Sequence, residues 1–219
     1  IVYKYITDTA IEDKILNDYK IIVHKLTLSA AKTIRVEYKE KSWMTSELDT
    51  YNYWTGRLDA ACNPKEEQII RVMRMKALMG FPSKEVYAQK LLSQMQEKCL
   101  LFVNTQQQAD KLCTHSYHSK NPDRNENLRK FKAGEITRLS AVLQLSEGVN
   151  VPNLRFGIIM HAYGNERKTA QRIGRLLRLN PDDVATIHIL CYINTVDERW
   201  VKDALSGFDE SKISWVYPV

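Results

Sequence analysis

The sequence predicts an α/β protein: a parallel β-sheet with helices on both faces, carrying a helical insertion. Three observations lead there. Short, wholly apolar runs such as Leu100-Leu101-Phe102-Val103 and Phe156-Gly157-Ile158-Ile159-Met160 suit strands buried on both faces, as in parallel sheets. After about residue 98 such runs alternate with amphipathic segments in β-α-β-α order. The composition can supply a core, with 44% of the 219 residues hydrophobic and 26% charged. That balance is ordinary for a globular chain and excludes disorder as the main state. The length suits one large domain or two small ones.

Taken in order, residues 1–28 read as a connection followed by a first strand. Tyr19–Leu28 is rich in branched side chains and joins the same sheet. Residues 29–97 read as a helical insertion. Within it, Ser42–Ala61 is expected to be helical. Asn63-Pro64-Lys65-Glu66 starts a second helix, with an N-cap, a proline at the first position and acids in the first turn. That helix runs through Ile69, Ile70, Met73 and Leu78 to Gly80, and Phe81-Pro82-Ser83 breaks it and opens a third. Residues 98–219 form the main domain. Leu100–Val103 is a strand, and Thr105-x-x-Gln108 is a capping box for the helix that follows. His115–Ser119 holds a short strand. Asn121-Pro122-Asp123 begins a helix with Leu128 and Phe131 that stops at Gly134. Leu139–Leu143, Phe156–Met160 and Ala185–Tyr192 are strands, Asn165–Arg178 is helical, and Thr195-x-x-Glu198 caps a last helix. In such sheets functional loops lie beyond the strand C-terminal ends, here residues 104–106, 144–152 and 161–178.

The net charge of +6 and a pI near 9.0 permit nucleic-acid binding without proving it. Residues 1–95 carry 15 basic and 12 acidic groups and residues 96–219 carry 17 and 14. The charge is therefore spread evenly, and any nucleic-acid surface must be assembled by folding. No run approaches the roughly 18 apolar residues of a membrane span, and Ile1–Tyr5 lacks the marks of a signal peptide. The expectation is a cytoplasmic protein with no membrane partner. The first residue is not Met, so the chain reads as a piece of a longer protein. Cys62, Cys99, Cys113 and Cys191 form no C-x-x-C pair, and the expectation is reduced thiols and no metal site. Trp43, Tyr51, Tyr53 and Trp54 could stack bases, although aromatic residues at helical spacing more often pack a core.

The strongest chemical signal is Gln171-Arg172-Ile173-Gly174-Arg175-Leu176-Leu177-Arg178. On a helix Gln171, Arg175 and Arg178 share one face. Two guanidinium groups and an amide on one face suit a polyphosphate. Gly174 costs about 1 kcal/mol in mid-helix, which fits the close approach of another surface. A solvated basic face is the bland alternative. A chance match to Gln-x-x-Gly-Arg-x-x-Arg is on the order of one in a thousand at average residue usage.

The octet resembles motif VI of superfamily 2 helicases. Leu100–Leu112 is similar to motif IV and its helix, Leu128–Ile136 to the segment before motif V, and Ser146–Pro152 to motif V. Together these cover about residues 98–200 in the family's order. The flavour is that of phage or bacterial DNA helicases and restriction-type translocases. The resemblance implies a C-terminal, RecA-like motor domain. Arg175 and Arg178 would be arginine fingers at the γ-phosphate of ATP, with Gln171 beside it or at the attacking water. Glu147, Gly148, Asn150 and Gly174 would border the nucleotide, Asn150 standing where many relatives have Asp near the ribose. Thr105 and Asn104 would meet the nucleic-acid backbone, and His118 could join them. Relatives often carry Thr where this chain has Val142, so Gln144 or Ser146 would have to make the motif V contact.

No G-x-x-x-x-G-K-[ST] occurs in the sequence, and no Asp-Glu pair follows a strand to hold Mg²⁺. ATP and Mg²⁺ would therefore be bound mainly by a separate N-terminal RecA-like domain, the first expected partner. Nucleic acid, DNA ahead of RNA, is the second. The isolated chain is expected to be inactive. Two alternatives stay open: a nucleic-acid or partner-binding module without motor activity, and a duplex-DNA translocase that does not unwind.

Overall fold

In the computed structural model the described residues are 18–142, 151, 154–162 and 184–218. Their strands are β1 (Asp18–Leu26), β2 (Ile34–Tyr38), β3 (Lys41–Thr45), β4 (Cys99–Val103), β5 (Ser116–Tyr117), β6 (Arg138–Val142), β7 (Phe156–Ile159), β8 (Val184–Tyr192) and β9 (Ile213–Val216). Seven of them make one sheet in the order β5-β6-β4-β7-β8-β1-β9. Every neighbouring pair is parallel. The expected parallel sheet is present, and Tyr19–Leu28 contributes its strand, ending at Leu26.

The helices are α1 (Glu47–Asp59), α2 (Pro64–Gly80), α3 (Pro82–Gln94), α4 (Gln106–Leu112), α5 (Arg124–Ala133) and α6 (Val196–Leu205). Side chains alternate along each strand. Tyr19, Ile21, Val23, Leu100, Phe102, Leu139, Ile159, Ile187 and Ile189 face one way and pack with Phe131 of α5 and Val201 and Leu205 of α6. On the other face Ser140 donates its hydroxyl to the Ala109 carbonyl of α4 at 2.8 Å, and Tyr87 of α3 meets His24 of β1. Helices thus cover both faces. Each fully buried Ile or Phe contributes about 1.5–3 kcal/mol.

Local signals act as their chemistry requires. Thr105 and Gln108 form the reciprocal capping box, Asn63 caps α2 by accepting from Glu66 N at 3.0 Å, and Gly134 ends α5 in the left-handed region with φ 80°. At α6 Thr195 is the N-cap, as expected, without a reciprocal bond from Glu198. Thr195 accepts from Asp197 N at 3.1 Å, but Glu198 reaches one residue further back and accepts from Asn194 N at 2.8 Å. The left-handed backbone of Asn194, φ 58°, places that N–H for it. Cys99, Cys113 and Cys191 are buried and free. Burial pushes the Cys113 thiol up to about 11 and that of Cys191 to about 12, so both behave as apolar packing groups. Among the described residues no helix is long and apolar enough to cross a membrane.

The chain divides into two compact units, one of Thr27–Ser83 and one holding the sheet. The smaller unit differs from expectation at its start. Lys41–Thr45 is extended and pairs antiparallel with Ile34–Tyr38, so the helix expected from Ser42 begins only at Glu47, capped by Ser46. Alternating Trp43 and Thr45 suit a strand with a partner in reach. Glu47 is fully buried. Its carboxylate accepts from Ser29 N at 3.0 Å, Ser83 N at 2.8 Å and the Ser83 hydroxyl at 2.8 Å. One side chain thereby ties the two ends of this unit together. On α2, Ile70 and Leu78 are buried as expected, whereas Ile69 and Met73 are exposed.

Candidate functional site

Because the seven strands are parallel, their C-terminal ends share one edge of the sheet, and the connecting loops converge there. β4 is buried along its whole length and delivers Asn104 and Thr105 to that edge. Thr105 is exposed and its Oγ1 accepts from Gln108 N at 3.1 Å. A hydroxyl that accepts still has its own hydrogen to donate, so capping and phosphate contact are compatible at this residue. Gln108 is buried, and its Oε1 accepts from both Asn104 N and Thr105 N at 3.3 Å. The loop is thus held from beneath by α4.

The loop after β5 is tied to the same place. Gln106 Nε2 donates to Ser119 Oγ at 3.1 Å. Asp110 of α4 accepts from the Ser116 hydroxyl at 2.6 Å and lies 2.9 Å from His118 Nε2. Those two hydrogen bonds, Ser116 first, hold its carboxyl below the usual range against some desolvation. His118 is itself buried, 4% exposed, and its Nδ1 has no hydrogen-bond partner. The structure therefore brings Asn104, Thr105 and His118 to one edge, with Thr105 exposed and His118 set beneath the surface.

On the other side of β4, two residues that sequence reasoning did not single out organise the edge. Lys84, at the start of α3, and Asp197, at the start of α6, are 0% and 2% exposed. Lys84 Nζ donates to Asp197 Oδ2 at 2.6 Å and to the Met160 carbonyl at 2.9 Å. The same Oδ2 accepts from Tyr192 N at 2.8 Å, and the Tyr192 hydroxyl accepts from Lys84 N at 3.2 Å. The ammonium also lies 4.8 Å from the centroid of the Tyr192 ring. A buried ion pair must recover a desolvation cost of several kcal/mol per ion, and this one does so with neutral hydrogen bonds on both partners. It fastens α3, the end of β7, the end of β8 and α6 together. Glu198, next to Asp197 in the chain, is engaged with Asn194 N and with Lys202 at 2.8 Å.

Gln144, Ser146, Glu147, Gly148, Asn150, Gln171, Gly174, Arg175 and Arg178 lie outside the described residues. Their flanks are anchored. Before the first group β6 runs to Val142, and after it Val151 and Leu154 are in the core. Before the second group Met160, His161 and Ala162 are buried, with Met160 N donating to the Phe102 carbonyl at 3.1 Å.

The helicase conserved C-terminal domain family matches residues 83–180, starting one residue before Lys84, where the sheet-bearing unit resumes. The DNA 3'-5' translocase XPB2 of Sulfurisphaera tokodaii is 32% identical over 100 residues. That stretch is 43% of this chain and 23% of the translocase, so the similarity spans about a quarter of that relative's length. Among solved structures, the C-terminal domain of the DEAD-box protein Dbp5 superposes with a TM-score of 0.54 at 15% identity, over 64% of this chain and 86% of that one. S. cerevisiae Dbp5 bound to RNA and ADP BeF3 superposes with a TM-score of 0.50 at 10% identity, over 91% and 41%. At such identities the structural likeness speaks to the fold alone.

Proposed function

We propose that the chain carries the C-terminal, RecA-like domain of a superfamily 2 helicase, a reading supported by the family match and the similar translocase, and that it completes the ATP site of a cytoplasmic nucleic-acid motor. The phosphate-cradling loop of that motor lies on a separate N-terminal RecA-like domain. The observation that carries the reading is the extent of the family match. It starts at the clamp residue Lys84's own helix and runs through the octet Gln171–Arg178, on a parallel sheet whose loops converge on one edge.

Arg175 and Arg178 place two guanidinium groups against the γ-phosphate and stabilise charge on the transferring phosphoryl group. Gln171 orients the attacking water. Gly148 and Gly174 let backbone approach the nucleotide, and Glu147 and Asn150 border its ribose. When bound, ATP with Mg²⁺ supplies the cleavable phosphoanhydride. Asp197 and Glu198 are engaged within this chain, Asp197 with Lys84 and Tyr192 N and Glu198 with Lys202 and Asn194 N, so Mg²⁺ would be held by the other domain. Thr105, Asn104, Gln144 and Ser146 hydrogen-bond nucleic-acid phosphates, and His118 supports that loop from below through Asp110. Such contacts make binding salt-sensitive and weakly sequence-specific. DNA is favoured over RNA because the similar curated relative is a DNA translocase.

ATP turnover by the full-length parent protein tests this, with and without single-stranded DNA, beside Arg178→Ala. Turnover should be stimulated by DNA, and the variant should lose on the order of 10³-fold or more. Turnover unchanged by the substitution would refute the finger. The relative named as a translocase favours one second reading, movement on duplex DNA without unwinding. DNA-stimulated turnover with no strand displacement from a forked duplex would select it.

A further inference from the structure

We propose that the hairpin of β2 and β3 is a binding site for single-stranded nucleic acid, with Trp43 and Tyr38 as base-stacking platforms and Lys39 and Lys41 as phosphate contacts. The proposal rests on the reading of this chain as a nucleic-acid motor and adds a second site to it, within the Thr27–Ser83 unit.

Cross-strand pairing puts Val36 opposite Trp43 and Tyr38 opposite Lys41. Directly opposed residues share a face of the ribbon, so both aromatic rings and Lys41 stand on the same side. Tyr38 is 63% and Trp43 48% exposed, and every residue of both strands is exposed or half-buried. These rings therefore do not build a core, and a two-stranded ribbon gains little stability by displaying them. Diagonal neighbours on such a ribbon lie about 7–8 Å apart, roughly twice the ~3.4 Å rise of a nucleic-acid strand. The two rings are spaced to take bases from one continuous strand.

The tip supplies the charge. Lys39 occupies the left-handed region, φ 52°, in a two-residue loop where Gly or Asn is the usual choice. That conformation is strained for an L side chain, and here it projects a cation beside a ring, Lys39 Nζ standing 5.5 Å from the Tyr38 centroid. From 32 to 45 the chain carries Lys32, Arg35, Lys39 and Lys41 against Glu37 and Glu40. Glu37 is neutralised by Arg35 at 2.9 Å. Aromatic residues alone would equally suit a protein partner, but lysine is depleted at protein interfaces. Rings interleaved with cations match a polyanion whose bases have apolar faces.

Affinity of the intact parent protein for a labelled oligothymidylate and a labelled oligouridylate, read by fluorescence anisotropy, tests this in wild type, Trp43→Ala, Trp43→Phe and Tyr38→Ala with Trp43→Ala. Stacking predicts a loss of about 5- to 150-fold for Trp43→Ala, a larger loss for the double variant and near-retention in Trp43→Phe. The strand showing the larger loss identifies the preferred sugar. Unchanged far-UV circular dichroism shows that the loss is not unfolding. Strand binding that persists at wild-type affinity in the double variant would overturn the hairpin site while leaving the motor reading intact, and would assign the rings to a protein partner. If wild type bound neither strand at any salt concentration, both readings would fall together.

Discussion

His24 Nε2 and His188 Nδ1 lie 2.8 Å apart on adjacent strands, and Tyr87 Oη is 2.9 Å from His24 Nδ1. Read in either direction, this chain holds one proton per contact with both rings neutral. Burial lowers both imidazoles to about 4, and at His188 the neighbouring His24 and Lys20 add to the effect. Free histidine titrates near 6.5. Between those values the unfolded chain therefore binds more protons than the folded one. Their contribution is complete above about pH 6.5 and is lost as pH falls towards 4, by on the order of 1 kcal/mol per pH unit for each ring. The urea midpoint should be lower at pH 5 than at pH 7, and His188→Gln should make the fall shallower. An equal midpoint at both values would mean that the rings carry charge in the folded protein. Thr105 poses a separate question, since its cap bond leaves the hydroxyl hydrogen free for the proposed phosphate contact. Thr105→Asp keeps an acceptor for Gln108 N, so the thermal midpoint should hold, while the carboxylate repels phosphate and weakens strand binding. Thr105→Ala instead should cost about 1 kcal/mol of stability. A loss of strand affinity in Thr105→Ala without any in Thr105→Asp would make the residue a cap only.

Between elements, the Lys84–Asp197 pair sets how α3, α6 and the ends of β7 and β8 meet. Lys84→Met removes the cation and strands a buried carboxylate, which should cost about 3–5 kcal/mol in a chemical denaturation curve. A cost below about 1 kcal/mol would show that water reaches Asp197 and that the clamp is open in solution. Nothing in the sequence marked this pair, whose members are 113 residues apart. Each also has an ordinary local reading, a lysine near a helix start and an acid in a first turn. The central strands were legible for the opposite reason. β4 is apolar at every position because both of its faces are covered, a pattern that survives without knowledge of the partners. The β2–β3 hairpin was hidden because its strands face no core. Lys41–Thr45 pairs polar Lys41-Ser42 with apolar Trp43-Met44 and so lacks the alternation of a strand, and Lys39-Glu40 is not a recognisable turn pair. Caps lie between these extremes: Thr105 with Gln108 was readable from spacing alone, whereas Glu198 was drawn one residue away from the expected partner by the left-handed Asn194.

At the scale of the molecule, the sheet order gathers loops distant in sequence along one edge, and this makes a shared site possible. The order β6-β4-β7-β8 sets the ends of β4 and β7 side by side, with Phe102 paired to Ile159. The exposed Thr105 and the buried Met160–Ala162 therefore leave the sheet from neighbouring strands. On the proposed reading, the charge offered to ATP comes from Arg175 and Arg178, and arginines stabilise a transition state but do not assemble one. Metal binding and the cradling of the β- and γ-phosphates need a loop and a carboxylate, and the sequence contains no G-x-x-x-x-G-K-[ST]. On that reading a finger worth about 10³–10⁵ in rate multiplies a turnover that a separate N-terminal domain would first provide. The purified 219-residue chain should accordingly release no phosphate from ATP above a protein-free blank, with or without single-stranded DNA. Added N-terminal domain should restore turnover in proportion to the complex formed, and Arg178→Ala in this chain should abolish that restoration. Phosphate release by the chain alone, carried through purification in constant ratio to protein, would mean that a complete site exists within these residues and that the division of labour is wrong.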